Sequence, residues 1–130
     1  TSKHAVAMRF DGQLYFANVS YFEDTVLSVL ADHPEAKYFL VVGDGINQLD
    51  ASGEEVIHHL VSRLRENGVT LVFSGLKKQV IDVMRATGLF DLITQANIFA
   101  TEDQAIAAIY GRLGEDAKDD LFCAVKPATA

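Results

Sequence analysis

Two short apolar runs, separated by a helix-like pattern, restrict the fold of this chain more than any other feature. The first run is Tyr38-Phe39-Leu40-Val41-Val42 and the second is Val69-Thr70-Leu71-Val72-Phe73. Runs of this length and composition are typical of strands buried on both faces of a sheet, which are usually parallel. Between them, apolar residues recur at helical spacing from Gly53 to the stop signal Asn67-Gly68. The sequence therefore predicts a β-α-β unit within an α/β fold.

The amino-terminal segment is predicted to form a hairpin. Residues 6–10 place Val6, Met8 and Phe10 on one face, which is the period of a strand with one wet side. Asp11-Gly12 is a favoured pair for a tight turn, and residues 14–17 would form the returning strand. We therefore expect the first strand to lie antiparallel at an edge of the sheet.

The remaining pattern predicts four helices and a carboxyl-terminal tail. Two capping boxes would open the first and last helices, Ser20 with Glu23 and Thr101 with Gln104. The third helix would end at Gly88. The predicted order is β-β-α-β-α-β-α-(β)-α in one mixed sheet of four to five strands. The predicted domain covers residues 1–113, and residues 114–130 would form a flexible acidic tail.

Composition excludes several functional classes. The formal net charge of −7 argues against a nucleic-acid binder, which needs a basic surface. The single cysteine, Cys123, excludes an internal disulfide and a cysteine-based zinc site. No apolar stretch reaches the ~18–20 residues that cross a bilayer, and because Thr1-Ser2-Lys3-His4 lacks an apolar core we expect no signal peptide. Because the chain starts at Thr1 without Met, we expect it to come from a longer protein.

Four motifs carry a resemblance to a known family. Phe10-Asp11-Gly12-Gln13-Leu14-Tyr15-Phe16-Ala17-Asn18 resembles the entry hairpin of STAS domains in sulfate permease (SulP-type) anion transporters. Asp50-Ala51-Ser52-Gly53 resembles a turn that these domains share with the anti-sigma factor antagonists. Two further segments resemble the exit of the third helix and the entry of the last one, namely 86–91 and 101–105. The resemblance covers residues 5–113 and implies a STAS-like domain, for which the hairpin is the element most specific to transporters.

Ser52 has two interpretations. As the N-cap of the second helix, with Glu55 three residues later, it would form a capping box, and we favour this interpretation. The resemblance implies the other, a regulatory phosphorylation site, as in the antagonist branch. A helix N-terminus favours a phosphate, but Asp50, Glu54 and Glu55 already bring negative charge. Asp50 is predicted to accept hydrogen bonds from nearby amides in the turn.

Asp44, Gly53 and Lys77 are the other predicted turn or contact residues. Lys77 and Lys78 follow the second buried strand, and could face an anion or an acidic partner beside Ser52. A solvated first helical turn is the interpretation that we favour for them. Three glycines, Gly43, Gly45 and Gly53, would supply positive φ or a close chain approach. They would also admit a nucleotide phosphate, but no Walker or GxGxxG pattern is present, so we expect no cofactor.

No catalytic or metal site is predicted. His58 and His59 are adjacent, so on a helix they point about 100° apart and cannot chelate one ion together. Cys123 has no His or Asp partner nearby in the sequence, and we find no Ser-His-Asp arrangement. We therefore expect the chain not to be an enzyme.

Two functions remain open. The resemblance implies a regulatory and interaction domain on the cytoplasmic face of a sulfate-type transporter in the inner (plasma) membrane. Its partners would be the transmembrane domain of the same transporter and a regulatory protein at the Ser52 turn, and a homodimer is left open. The alternative is a free-standing switch, similar to an anti-sigma factor antagonist and phosphorylated at Ser52. The transporter-like hairpin and the missing Met favour the first.

Overall fold

The structure, a computed structural model, describes residues 4–14, 16–114 and 123–125, with the backbone alone at 12–14, 16–18 and 123–125. Its strands are β1 (Ala5–Arg9), β2 (Gly12–Leu14), β3 (Tyr38–Val42), β4 (Ile46–Leu49), β5 (Thr70–Ser74), β6 (Ile98–Phe99) and β7 (Cys123–Val125). Its helices are α1 (Phe16–Ala31), α2 (Ala51–Glu66), α3 (Lys78–Thr87), α4 (Leu89–Ile93) and α5 (Glu102–Leu113), with a 3-10 turn at Gln95–Asn97.

The main sheet has five strands in the order β6-β5-β3-β1-β7. Each pairing between neighbours in this sheet is parallel. The two apolar runs of the sequence form β3 and β5, which pair directly, with Val41 opposite Phe73. The predicted α/β class and the strand count are confirmed, whereas the sheet is parallel in the described residues rather than mixed. All five carboxyl ends consequently meet at one edge of the sheet.

The predicted hairpin at the amino end is wrong. β1 lies inside the sheet between β3 and β7, and β2 pairs in parallel with β4 in a separate two-stranded ribbon. Ala5 and Ala7, assigned by the alternation to a wet face, are 2% and 4% exposed. Buried apolar side chains on both faces suit a central strand that is covered by helices on each side. The alternation in residues 6–10 therefore separates two packed faces, not a dry face from a wet one.

Helices cover both faces of the sheet. The larger core joins one face of β1, β3 and β5 to helices α1–α4, and its largest fully buried side chains include Phe22, Phe39 and Phe73. The smaller core joins the other face to α5, through Ala105 and Ile109. Truncating a buried phenylalanine to alanine costs about 3–5 kcal/mol, so the larger core supplies much of the stability.

The predicted boundaries are confirmed at the end of α3 and the start of α5, but not at the start of α1. At the last helix, the Thr101 hydroxyl accepts a hydrogen bond from Gln104 N at 3.2 Å, which confirms that cap. Gly88 ends α3 with a left-handed φ of 84°, as predicted. At the first helix the capping box is wrong, because α1 already begins at Phe16 and leaves the exposed Ser20 inside it. The same start overturns the predicted returning strand at residues 14–17, of which Tyr15 lies outside the described residues.

The predicted tail is corrected in one place. Cys123–Val125 forms β7, which pairs with β1 in parallel, with Ala124 opposite Ala7. A lone strand of three residues gains its hydrogen bonds from the sheet edge that β1 would otherwise expose. The rest of the predicted tail lies outside the described residues. Among those described, no helix combines the length and apolar character needed to span a bilayer.

Candidate functional site

The site begins where β4 passes into α2. Asp50 is the N-cap of α2, with φ −98° and ψ 178°. Its Oδ1 accepts a hydrogen bond from Gly53 N at 2.8 Å, and its carbonyl accepts one from Glu54 N at 2.9 Å. The first bond satisfies one of the amides that the start of a helix leaves without an intrahelical partner, and the second is the first i→i−4 bond of α2. The turn role predicted for Asp50 therefore agrees with the contacts, and Gly53 is the amide donor.

The structure contradicts the predicted capping role of Ser52. Ser52 lies in the first turn of α2, two residues after the actual cap, and its side chain is half-buried. Glu55, its predicted capping-box partner, is exposed. A carboxylate three residues before an amide makes the same bond as a serine hydroxyl, so Asp50 with Gly53 takes the place predicted for Ser52 with Glu55. The Ser52 hydroxyl is consequently not committed to holding the helix end.

A groove of about 250 Å³ contains Ser52. It lies between the first half of α2 and the start of α1, and is lined by Val19, Ser20, Ser52, Glu55, Val56 and His59. The four lining residues of α2 are spaced i, i+3, i+4 and i+7, so they share one face of the helix. The sequence shows this spacing in α2. It does not predict the contribution of α1, because it predicts that α1 starts at Ser20 and not at Phe16. The groove therefore combines a hydroxyl, a carboxylate and an imidazole with apolar walls.

The acidic residues around Ser52 do not act as one cluster. Asp50 is engaged at the cap, and Glu54, whose side chain is 14% exposed, lies with its Oε1 3.4 Å from Nδ1 of His58. Glu55 faces the groove. Within the described part of the chain, no group of three His, Cys, Asp or Glu residues could hold a metal ion. The arrangement suits polar recognition of a partner surface.

Neither of the two predicted lysines lines the groove that contains Ser52. The Lys77 ammonium donates to Oδ1 of Asn47 on β4, and Gln79 Nε2 donates to the carbonyl of the same residue at 3.2 Å. Lys78 pairs with Asp82 one helical turn later, with Nζ 2.9 Å from Oδ2. Lys77 and Gln79, at the start of α3, therefore both hydrogen-bond to β4, the strand that leads into the Ser52 turn.

Asp44 lies at a second place on the carboxyl edge of the sheet. It is exposed after β3, and its carboxylate occupies the space above Gly75, where a Cβ would overlap Oδ1 of Asp44. A Cβ on Gly45 would likewise overlap Oδ1 of Asp11, which confirms a close chain approach there. Asp44 lines a different cavity from Ser52. The five predicted site residues thus lie in three places. Asp50, Ser52 and Gly53 are at the start of α2, Lys77 contacts Asn47, and Asp44 lies over Gly75.

Comparison with known proteins identifies the family. Residues 1–105 match the family model of the STAS domain. The chain belongs to the STAS domain family. High affinity sulfate transporter 2 of Stylosanthes hamata is 28% identical over 113 residues, which are 80% of this chain and 17% of the transporter. A probable sulfate transporter of Mycobacterium tuberculosis is 26% identical over 108 residues, 82% of this chain and 19% of its own length. This chain thus spans less than a fifth of these relatives.

Several solved structures share the fold. The SulP transporter STAS domain from Vibrio cholerae has a TM-score of 0.72 at 15% identity, covering 87% of this chain and 86% of that one. The murine Slc26a9 anion transporter has a TM-score of 0.74 at 18% identity, covering 81% of this chain and 17% of the transporter. The anti-sigma factor antagonist SpoIIAA, unphosphorylated, has a TM-score of 0.67 at 17% identity, with 85% and 92% covered. The predicted resemblance to STAS domains is confirmed.

Proposed function

We propose that this STAS domain is the cytoplasmic regulatory and interaction domain of a sulfate-type anion transporter, with no catalysis of its own. The observation that carries the proposal is the match to sulfate transporters over 80% of this chain but only 17% of the relative. A domain that regulates transport needs a coupling free energy with the transporting part, which contacts between the two would supply. Its principal partner would be the transmembrane domain of the same transporter.

The groove at Ser52 is the contact site in this proposal. Ser52 is half-buried and free of the capping role, and Glu55 and His59 are exposed beside it. Val19 and Val56 supply apolar wall area next to these polar groups. A partner segment that fills such a groove gains burial from the walls and orientation from the polar groups. Because Asp50 and Lys77 fix the helix start and β4, the groove is presented on a rigid support.

The alternative of a free-standing phosphorylation switch rests on the fold shared with SpoIIAA, at 17% identity. A phosphate on Ser52 would add about −1.5 to −2 charges beside Glu55, and this repulsion opposes a stable phosphorylated groove. The gene sequence immediately upstream of the codon for Thr1 would separate the two functions. Several encoded apolar spans would support the transporter domain, whereas an initiating Met codon directly before Thr1 would support the switch.

Sulfate uptake by the full-length protein that contains this chain tests the contact site. Ser52→Glu places a carboxylate in the groove, and we expect it to change the uptake rate per transporter by about twofold or more, since coupling contacts are worth about 0.5–2 kcal/mol. Ser28→Glu is the matched control, because Ser28 is exposed on α1 and does not line the groove. It should leave uptake unchanged.

The stability of both variants completes this test. Both should keep the midpoint of unfolding of the isolated chain, because each site is at least partly open to solvent. Equal uptake by wild type, Ser52→Glu and Ser28→Glu would contradict a contact role for the groove.

A further inference from the structure

A second cavity lies where the connections that follow two neighbouring strands leave the sheet toward opposite faces. After β5 the chain turns to the face that carries α3 and α4, whereas after β6 it turns to the opposite face, which carries α5. The carboxyl ends of these neighbouring strands therefore diverge, with Gly75 after one and Ala100 after the other. In open α/β sheets, a crevice at such a switch point is the usual place for a bound ligand.

The cavity at this switch point has a volume of about 400 Å³. This is within the range of about 300–1,000 Å³ that is usual for small-molecule sites. Its lining is mixed, with the polar or charged residues Asp44, Arg85 and Gln95 beside five larger apolar side chains, namely Leu76, Ile81, Phe90, Ile98 and Phe99. The groove that contains Ser52 shares no lining residue with it.

Two opposite charges line the same cavity. The Arg85 guanidinium lies over the ring of Phe90, with Cζ 4.1 Å from the centroid. The carboxylate of Asp44 lies over Gly75, whose φ of +68° and lack of a side chain leave room for it. Among the residues that the structure describes, neither Arg85 nor Asp44 has an ion-pair partner within 4.0 Å. Both charges are therefore available to a ligand.

The residue before the lining residue Gln95 has a strained backbone conformation. Thr94 has φ 76° and ψ 147°, a region that a β-branched residue rarely adopts. Its amide donates to the Phe90 carbonyl at 2.9 Å, and its hydroxyl accepts from Asn97 Nδ2 at 3.2 Å. Arg112 Nη1 in turn donates to Asn97 Oδ1 at 2.6 Å. These bonds fix the turn that carries the lining residue Gln95.

We propose that this cavity binds a small aromatic zwitterion of the amino-acid type. Its carboxylate would pair with Arg85, its ammonium with Asp44, and its ring would lie among Phe90 and Phe99. A simple organic anion is disfavoured, because it would meet the Asp44 carboxylate on a chain with a net charge of −7. A zwitterion uses both charges and remains neutral overall. The inference is independent of the function proposed for the Ser52 groove.

The test titrates L-phenylalanine into the ¹⁵N-labelled 130-residue chain and follows the backbone amide resonances. We expect saturable shifts centred on Gly75, Leu76 and residues 95–100, with a Kd at or below about 1 mM. Phenethylamine lacks the carboxylate and 3-phenylpropionate lacks the ammonium, so each should bind at least about tenfold more weakly. Absence of saturable shifts, shifts centred elsewhere, or equal binding of the three compounds would overturn the proposal.

Matched variants test the role of the two charges. Arg85→Met and Asp44→Asn should each weaken phenylalanine binding at least about tenfold. Lys78→Met removes the same charge from the same helix, at a side chain that is 88% exposed and outside the cavity, and should leave binding unchanged. The amide spectrum of each variant shows whether the fold is kept. If Arg85→Met keeps the fold and binds as wild type, or if Lys78→Met weakens binding equally, the proposal is wrong.

Discussion

At the residue scale, the carboxylate of Asp50 caps α2, so the hydroxyl of Ser52 is not needed for capping. Asp50 and Ser52 are two residues apart, and both are favoured cap residues. The sequence predicted a turn here correctly, but the pattern of a capping box selected Ser52. The choice depends on the end of β4, since Leu49 is buried and Asp50 is the first exposed residue after it. That tertiary constraint is absent from local sequence patterns.

The cap assignment leads to a prediction about stability. Asp50→Ala removes the acceptor for Gly53 N and should lower the free energy of unfolding by about 0.5–2 kcal/mol. Asp50→Asn keeps an acceptor and should restore most of the loss. Ser52→Ala should change the same quantity by less than about 0.5 kcal/mol. Urea unfolding of the isolated chain measures all three, and a larger loss for Ser52→Ala than for Asp50→Ala would contradict the assignment.

Gly75 leads to a second prediction at this scale. Alanine there would adopt φ +68° and place its Cβ on the Asp44 carboxylate, so we expect a loss of more than about 1 kcal/mol. Gly111→Ala is the control, because Gly111 lies inside α5 with open space around it and should gain about 0.5–1 kcal/mol. Thermal unfolding distinguishes the two by the direction of the shift. A stabilising Gly75→Ala would show that Asp44 does not occupy this space.

At the element scale, the sequence predicts well the patterns that local chemistry sets, and poorly those that depend on distant contacts. The runs in β3 and β5 and the caps of α3 and α5 follow from local chemistry, and the structure has them where the sequence predicts. β4 was missed, since Ile46 and Leu49 enclose two exposed polar residues and show no alternation. β1 was placed at an edge because its alanines gave no sign of the helix that covers them. Such errors arise where burial depends on a distant element, here α5.

β7 leads to a prediction for the sheet edge. A chain that ends at Gly114 lacks β7 and exposes one side of β1, which pairs with β7 through Val6, Ala7 and Met8. Each lost hydrogen bond is worth about 0.5–1.5 kcal/mol net, so we expect unfolding to become easier by about 1–3 kcal/mol. Hydrogen exchange should accelerate in β1 more than in β5, which keeps both of its neighbours. Equal protection of β1 in both chains would contradict the pairing.

At the scale of the whole molecule, the two candidate sites lie on separate parts of one rigid support. The Ser52 groove joins α1 to α2, whereas the Arg85 cavity lies between α3, α4 and the ends of β5 and β6. Both sets of helices pack on the same face of the sheet and share its larger core. A ligand in one site and a partner at the other could therefore influence each other through packed helices. The sequence alone predicted the Asp50–Gly53 motif as a contact site, but neither the α1 wall of its groove nor the second cavity, which is assembled from several elements.

The central claim is that this STAS domain regulates a sulfate-type transporter, and sulfate uptake tests it most directly. The full-length protein that contains this chain would be placed in lipid vesicles, beside a version that lacks residues 1–130. We expect labelled sulfate uptake by the full-length protein, and a rate per inserted transporter that changes by about twofold or more when the domain is removed. No sulfate uptake by the full-length protein, or the same rate with and without the domain, would contradict the claim.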